Sequence, residues 1–597
     1  MSEQTEFAGI VNTTRLMSRR TFVKRASAFT VGVPVAASLL AACGGDSQES
    51  QAPDATATQG IIPTVGNVSA SPPAAGTEAA GSTATGAMSA GSGGTPVKGG
   101  TLVVQGHTEV ASLHPDDAQP WVHYVLVRNI HEPLVDLDYD YQLTPVLAVS
   151  YEAASDGMSY TFTLQTGVTF HDGQPFTAKD VKYNFDWYKN PQNAAVLGTD
   201  FAEIGEVETP DDETVVVNMT KVNAAFLPVA VTEMMIVSPA VHEQTGKDNY
   251  TPQAVGTGPY KLEEWKAVEQ TTLVAFPEYW RGAPNIDTFR EEVVPEGSVR
   301  AIALRSGTSD NPVWALQATD NLAFIQEDKF DVTRAAGKDL LFFPLNNDKP
   351  ALSEKVVRQA MLTAIDRDRL VTDLERGLAV KATSNLTPAI VFYYNPDVKQ
   401  YDYDPEAART MLDEAGWVPG DDGIREKNGV RLAFTASLIT GDQRRRATAE
   451  VVQQDLKLVG VDMQIEERPA AAITEGLPSG ELESSLFDWT FGAAEPDARS
   501  TLRSDGTRNF SRYKNPQMDE LLDQGVAIVD PAARQPIYKQ VQEIVAEDVP
   551  FLYLMYYEDI RVWNRRVQGR PTEANNPIFV YAELYKFWID DSMNSVT

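Results

Sequence analysis

The stretch Ser150–Trp187 constrains the fold most strongly, because its sequence predicts a strand, a turn and a helix in direct succession. Tyr160, Phe162 and Leu164 alternate with polar residues, and this period of two is typical of a half-buried β-strand. Asp172-Gly173 is a turn dipeptide, so a hairpin is expected to close there.

A helix is predicted to begin directly after this turn. Thr177 can act as its N-cap, and Asp180, three residues later, can complete a capping box. Val181, Phe185 and Tyr188 then place apolar side chains along one stripe of the helix. A strand followed by a helix of this kind is typical of an α/β core.

The length and the charge of the chain limit the classes of protein it can belong to. Its 597 residues, 43% of them hydrophobic, are enough for about three compact units of roughly 150 residues each. A nucleic-acid partner requires a basic surface, and the net charge of −33 therefore disfavours nucleic acid. With one cysteine in the chain, no internal disulfide can form.

Residues 1–42 are predicted to be a twin-arginine lipoprotein signal peptide. Ser18–Lys24 reads S-R-R-T-F-V-K, and Arg19 and Arg20 are the arginine pair of that export signal. A weakly apolar run follows and ends in Leu-Ala-Ala directly before Cys43, which resembles a bacterial lipobox. Cys43 is therefore expected to be cleaved at its amino side and to accept a lipid.

Residues 43–97 are predicted to be a disordered linker. Ala, Gly, Ser, Thr and Pro dominate this segment. Such a composition buries too little apolar surface to offset the entropy lost on ordering the chain. As a flexible coil the linker would reach roughly 40 Å and hold the folded part away from a membrane surface.

A βαβ unit is predicted towards the end of the chain. Residues 432–438 and 461–466 read as strands, and 443–459 between them as a helix. Arg444, Arg445 and Arg446 begin this helix and are expected to lie on a solvated face, because a basic run at a helix start opposes the helix dipole.

Several motifs together closely resemble those of the family 5 solute-binding proteins of ABC importers, which include oligopeptide, dipeptide and nickel binders. The resemblance extends over about residues 99–597 and is specific, because the longest motif runs without interruption from Phe170 to Val181. The other matching segments are Asn129–Val135, Ser155–Gly157, Tyr160–Phe162, Gly256–Leu262, Tyr279–Pro284 and Asn509–Pro516.

This resemblance implies an α/β, two-lobed periplasmic-binding-protein-like fold of class II, in the large cluster with an extra subdomain. The lobes of such a fold are discontinuous and joined by hinge segments. The first lobe is expected over 98–145, 256–340 and 548–597, an inserted subdomain over 146–255, and the second lobe over 341–547.

The resemblance also implies a binding protein with no catalytic residue, no cofactor and no metal site. A peptide or similar small organic solute would lie between the lobes and shift the population towards a closed form. That form would deliver it to permease and ATPase subunits encoded elsewhere. The protein is expected to be a monomer, to have no nucleic-acid partner, and to be held on the outer face of the cell membrane, in a periplasm or at the cell surface, by its lipid anchor alone.

Aromatic side chains and a few polar groups are expected to line the cleft. In the peptide-binding relatives, an Asp soon after a Trp receives the ligand's α-amino group, and its place here falls on Gly492 or Ala494. At least one of Glu495 and Asp497 is therefore expected to contact ligand, although Pro496 could instead place both in a solvated turn. The predicted ligand-binding residues are Trp121, Tyr124, Trp314, Tyr393, Trp489, Phe491, Glu495, Asp497 and Asn509.

Two short motifs leave a serine hydrolase as an alternative. Ser511 to Lys514 is an SxxK, and Ser309-Asp310-Asn311 is an SDN, two of the three motifs of penicillin-recognising enzymes. They stand in the reverse of the usual order and no Lys-Thr-Gly follows, which argues against this reading. An exported sensor or adhesive lipoprotein with the same fold is a third class, and the neighbouring genes would distinguish it, because an importer needs permeases and ATPases.

A nickel or metal-chelate binder, or a sugar binder, of the same family also stays open. No histidine is spaced i, i+4 to another and no second cysteine is present, so the spacing does not favour a metal site. The six histidines are His107, His114, His123, His131, His171 and His242.

Overall fold

The computed structural model describes residues 94–117, 124–138, 142–313, 316–490, 495–571 and 577–596. These residues form mixed α/β structure in two lobes, as predicted. Within the described ranges, no helix is both long enough and apolar enough to cross a bilayer. The predicted export signal at Arg19 and Arg20, the predicted anchor Cys43 and the predicted linker up to residue 93 lie outside the described residues.

The first lobe is built around a five-stranded mixed sheet. Leu102, Val104 and Phe289 of its two central parallel strands are fully buried. In spatial order the strands are Asn311–Pro312, Thr101–Gly106, Thr288–Val293, Gln270–Ala275 and Tyr260–Lys266. The helices of this lobe are Tyr124–Ile130, Gly297–Ser306 and Ala318–Gln326. The lobe also contains two short antiparallel strand pairs, Val135–Leu137 with Leu143–Pro145 and Val567–Gln568 with Trp588–Ile589.

A four-stranded antiparallel sheet forms the inserted subdomain and contains the strand predicted first from the sequence. Tyr160, Phe162 and Leu164 on that strand are buried, as their alternation with polar residues predicts. In spatial order the strands are Ala148–Ala153, Ser159–Leu164, Thr214–Met219 and Ile204–Glu208. The alternation is therefore explained by one face of the sheet packing on an apolar core.

The turn and the helix that follow this strand are also confirmed. Gly173 has a φ of 86°, a conformation that favours glycine, and an antiparallel bridge between Thr169 and Pro175 closes the hairpin. The helix runs over Ala178–Tyr188, and the Asp180 carboxylate accepts a hydrogen bond from the Thr177 N–H at 2.7 Å. A second helix of this subdomain, Pro239–Thr245, lies near its end.

One buried carboxylate, Glu132, joins three distant segments of the chain. It accepts hydrogen bonds from Thr257 Oγ1 at 2.9 Å, from Tyr279 Oη at 2.7 Å and from Trp280 Nε1 at 2.9 Å. Desolvation raises the pKa of Glu132, and these donors and the charge of Arg281 oppose that shift. We call these four hydrogen-bonded residues, Glu132, Thr257, Tyr279 and Trp280, the Glu132 cluster. Its role is structural, because it ties segments of the first lobe together.

The second lobe contains the predicted βαβ unit. Strands Ala433–Ile439 and Asp462–Arg468 are parallel neighbours, and helix Gln443–Leu458 connects them. A third strand, Ser484–Ser485, completes the sheet, and a small meander is formed by Val418–Pro419, Arg425–Lys427 and Val430–Arg431. The remaining helices are Lys355–Ala364, Arg367–Arg369, Pro405–Glu414, Ala470–Ser479, Arg499–Leu502, Pro516–Val526 and Pro531–Asp548.

Two long antiparallel strands, Phe330–Pro344 and Phe551–Asn564, connect the lobes, and we call them the crossing strands. Phe330 packs in a core with helices of the first lobe, whereas Leu341 is fully buried in the core of the second. Their pairing is interrupted between Ala335 and Asp339. Ala379–Lys381 and Phe487–Thr490 pair on either side of them.

A glycine is required at this interruption. A Cβ on Gly337 would lie 1.3 Å from the carbonyl oxygen of Tyr557 on the opposite crossing strand. The two backbones therefore approach more closely here than any side chain permits. An irregular pairing between two lobes is a natural position for a hinge.

The expectation that Arg444, Arg445 and Arg446 form a solvated face is wrong for two of the three. Arg444 forms an ion pair with Glu375, and the side chains are 13% and 1% exposed. Arg445 forms an ion pair with Asp488, also with little exposure. Only Arg446, at 43%, is exposed. The helix begins against the crossing strands, where acidic partners from distant segments neutralise the arginines.

Candidate functional site

A large cavity lies between the two lobes and is lined by both. Its volume is about 1070 Å³. The second lobe contributes an aromatic wall, and the first lobe and the inserted subdomain contribute Trp265, Val229 and most of the acidic groups. The aromatic wall consists of Phe342, Phe487, Trp489, Phe510 and Phe551. Apolar walls with a few charged groups are typical of a site for a small organic molecule.

Trp489 lines the cavity as part of a sheet. Its strand pairs with a crossing strand, with Trp489 opposite Leu340. The Arg508 guanidinium lies 5.3 Å from the centre of the indole ring, at cation–π distance. The sheet and the arginine together hold the indole in place.

Glu495 also lines the cavity, but a cation already neutralises it. Arg534 donates to both carboxylate oxygens, and the side chains of Arg534 and Glu495 are only 4% and 7% exposed. Burial raises the pKa of Glu495, and the charge of Arg534 opposes that shift. The geometry is that of a buried, bidentate ion pair.

Asp497 lines the cavity as well and is likewise neutralised. Its carboxylate lies 3.0 Å from Arg499 Nε, and the other side of that guanidinium reaches the inserted subdomain. There Arg499 Nη1 lies 2.9 Å from Glu203 Oε1, and Nη2 donates to Asn223 Oδ1 at 3.2 Å. We call Arg499, Glu203 and Asn223 the Arg499 bridge. It connects the two sides of the cavity, so Asp497 orients a contact between the lobe and the subdomain.

Asp200 and Glu233, which the sequence analysis did not single out, are acidic groups of the inserted subdomain that line the cavity. Asp200 is 8% exposed, and burial raises its pKa to about 7. Glu233 Oε2 lies 4.0 Å from Arg508 Nη2, too far for a hydrogen bond. Neither acid belongs to a recognisable motif, so no local signal in the sequence could have identified them.

The structure places the other predicted site residues away from the cavity or outside the described residues. Tyr393 packs in the core of the second lobe against Tyr538, with ring centres 5.7 Å apart. Asn509 donates to the Tyr513 carbonyl at 2.7 Å and so closes a turn. Trp121, Trp314 and Phe491 lie outside the described residues, and Tyr124 is described only as the first residue of helix Tyr124–Ile130.

The residues of the two hydrolase motifs have separate structural roles. Asp310 forms an ion pair with Arg566 inside the first lobe. Ser511 lines the cavity, whereas Lys514 is 62% exposed and lies 2.9 Å from Asp348. Within the described ranges no group of three or more His, Cys, Asp or Glu side chains is arranged to hold a metal ion.

Comparison with known proteins identifies the family. The sequence profile of the bacterial extracellular solute-binding proteins, family 5, matches residues 142–511. The chain is 31% identical to the glutathione-binding protein GsiB of Pectobacterium atrosepticum over 481 residues, covering 77% of this chain and 89% of that protein. It is 30% identical to protein XP55 of Streptomyces lividans over 491 residues, covering 80% and 89%.

A solved structure shows the same fold. The periplasmic binding protein DppA of Helicobacter pylori, determined in complex with the peptide STSA, superposes with a TM-score of 0.75 at 25% identity and covers 83% of this chain and 99% of its own. The profile spans more than half of this chain, and the relatives are matched over nearly their whole length. The chain belongs to the bacterial extracellular solute-binding proteins of family 5.

Proposed function

We propose that this protein is the substrate-binding protein of an ABC importer and captures a peptide or similar small organic solute between its lobes. The main supporting observation is the cavity of about 1070 Å³, which both lobes line with aromatic and charged side chains. Ligand pockets of about 300–1,000 Å³ bury most of the surface of a small organic molecule, so the volume suits a short peptide. The names of the relatives, which specify glutathione and a peptide, agree with this class.

The proposed mechanism is closure around the ligand without any chemical change. The crossing strands provide the hinge, and the Arg499 bridge joins the second lobe to the inserted subdomain when the two approach. A ligand that contacts both sides of the cavity binds the closed form more tightly than the open form. The difference between these two binding free energies sets how far the ligand shifts the population towards the closed form. The closed form then delivers the ligand to permease and ATPase subunits encoded elsewhere.

The same proposal includes export and anchoring. The twin-arginine motif at Arg19 and Arg20 directs the folded protein across the membrane, and lipidation of Cys43 holds it as a monomer on the outer face. The segment from Cys43 to residue 97 then acts as a tether of roughly 40 Å.

Calorimetric titration of the purified full chain tests the proposed ligand class. Glutathione and the tetrapeptide Ser-Thr-Ser-Ala serve as probes, and monosaccharides and nickel–histidine represent the alternatives. We expect at least one peptide probe to bind one molecule per chain with a Kd of about 1 μM or tighter, which corresponds to about −8 kcal/mol. Binding of a sugar or of nickel–histidine, with neither peptide bound, would reject the peptide class.

A further inference from the structure

Several acidic side chains of the cavity already have a cation at hydrogen-bond distance. These pairs connect elements of the protein to each other, so the paired acids offer little negative charge to a ligand. They are Glu495 with Arg534, Asp497 with Arg499, Asp488 with Arg445, and Asp116 and Asp117 with Lys247. The two acids that the sequence favours as ligand anchors, Glu495 and Asp497, are both in this group.

Asp200 differs from these acids. It is 92% buried and lines the cavity, yet within the described residues no hydrogen bond or ion pair reaches its carboxylate. Burial, and after it the charges of Glu233 and Asp497, raise its pKa, while Arg508 and Arg499 oppose the shift from a greater distance than a salt bridge. A buried carboxylate without a partner is costly, so it marks a place where a partner is missing.

The neighbouring pair, Glu233 and Arg508, is also incompletely matched. Glu233 Oε2 and Arg508 Nη2 lie 4.0 Å apart, and each of these atoms is buried without a hydrogen-bond partner in the part of the chain that the structure describes. Arg508 is held by the face of Trp489 and not by a carboxylate at contact distance. The two carboxylates and one guanidinium have a net charge of −1, which one cation on the ligand would neutralise.

We propose that Asp200 and Glu233 bind an ammonium group of the ligand, with Arg508 and Trp489 forming the facing wall. This inference rests on the proposed function and adds to it the anchor and the charge of the ligand. An ammonium has three donors, enough to reach both carboxylates. A ligand with only anionic groups at this end would be repelled by Glu233 and by Asp200 once it ionises.

The test compares probes with and without the ammonium on matched variants of the full chain. The probes are glutathione, Ser-Thr-Ser-Ala and the N-acetylated form of each, titrated by calorimetry into wild type, Asp200→Asn, Glu233→Gln and Glu475→Gln. Glu475 lines the same cavity but is exposed, so its variant controls for the loss of one negative charge. Asp200→Asn removes no hydrogen bond or ion pair of the described residues, and we expect its melting temperature to be unchanged or raised.

We expect N-acetylation of the probe, Asp200→Asn and Glu233→Gln each to weaken binding about tenfold to a hundredfold. Titration of an acetylated probe into either variant should show no further loss of affinity. Glu475→Gln should bind like wild type. Proton release is a second readout: titrations of a free-amine probe near pH 7 in two buffers of different ionisation enthalpy should show a proton leaving Asp200 on binding.

Equal affinity of free and acetylated probes, with both variants binding like wild type, would overturn the anchor and leave the proposed function intact. The anchor would also be overturned if Glu475→Gln weakened binding as much as Asp200→Asn. The loss of affinity would then follow from the lower negative charge of the cavity as a whole and not from a contact with Asp200. If wild type bound neither free-amine probe, the proposed ligand class and the anchor would both be rejected.

Discussion

Individual buried carboxylates in this protein differ in whether a hydrogen-bond donor reaches them. Glu132 has three donors and joins the first lobe. Glu291, on the central strand Thr288–Val293, is 0% exposed, and among the described residues neither of its carboxylate oxygens has a hydrogen-bond partner. Burial alone raises the pKa of Glu291 to about 8. The carboxyl of Glu291 is therefore protonated in the folded protein at neutral pH.

This assignment predicts how Glu291→Gln changes stability with pH. In wild type the folded state keeps the proton up to about pH 8 while the unfolded state loses it near 4.5, so the free energy of unfolding falls between these values by about 1.4 kcal/mol per pH unit. Gln does not titrate, so the free energy of unfolding of Glu291→Gln does not fall for this reason as the pH rises. The melting temperature of Glu291→Gln relative to wild type should therefore rise from pH 5 to pH 8 in scanning calorimetry.

The exposed Glu278 provides a matched control, since Glu278→Gln makes the same substitution at the surface. Its difference from wild type should be small at both pH values. A pH-independent difference for Glu291→Gln would show that Glu291 is ionised in the folded state.

At the same scale, the pairing of the acids at the cavity could not be predicted from sequence. Glu495 and Asp497 lie near Trp489 in sequence, and all three line the cavity. Their partners are not local, however: Arg534 lies on a later helix, and Arg499 reaches across to the inserted subdomain. Whether an acid is free for a ligand depends on such pairings, which a pattern of neighbouring residues does not contain.

Among the elements, the Arg499 bridge is a side-chain contact by which the proposed closure of the second lobe on the inserted subdomain can be tested. Arg499 is 4% exposed and Glu203 19%, so their ion pair is largely shielded from water. Next to Asn223 of the bridge, the backbone N–H of Ala224 donates a hydrogen bond to the Val526 carbonyl at 2.8 Å. Charge-assisted hydrogen bonds of this kind contribute about 1.5–3 kcal/mol.

Glu203→Gln should therefore shift the unliganded protein towards the open form. Loss of about 1.4 kcal/mol changes the ratio of closed to open molecules tenfold, and small-angle X-ray scattering should show a larger radius of gyration than for wild type. Glu208→Gln is the control, because the Glu208 carboxylate accepts a hydrogen bond from Asn218 Nδ2 within the subdomain and is not part of the bridge. An unchanged radius for Glu203→Gln would mean that the bridge does not control closure.

Elements with strong local patterns were predictable. The strand Ser159–Leu164, the turn at Gly173 and the helix Ala178–Tyr188 follow from alternation, turn chemistry and a capping box. The burial of Arg444 and Arg445 was not, because it depends on Glu375 and Asp488, which lie far away in sequence. Several motifs that indicate the family have structural roles, as Glu132, Tyr279 and Trp280 show.

For the whole molecule, anchoring is predicted to depend on one atom, the sulfur of Cys43. Cys43→Ser should release the protein from the membrane fraction, because the segment that follows is polar and no described helix can span a bilayer. Fractionation of cells and immunoblotting measure this directly. A Cys43→Ser protein that stays in the membrane fraction with its signal cleaved would contradict the lipid anchor.

The central claim is that the cavity between the lobes holds a solute, and native mass spectrometry of protein purified without refolding tests it directly. Ala471→Trp places an indole in the cavity from an exposed position at the start of helix Ala470–Ser479, whereas Ala472→Trp, the matched control, lies beside it outside the lining. We predict that wild type and Ala472→Trp retain the same small-molecule mass and that Ala471→Trp loses it. The same bound mass at equal occupancy in all three proteins would contradict the claim.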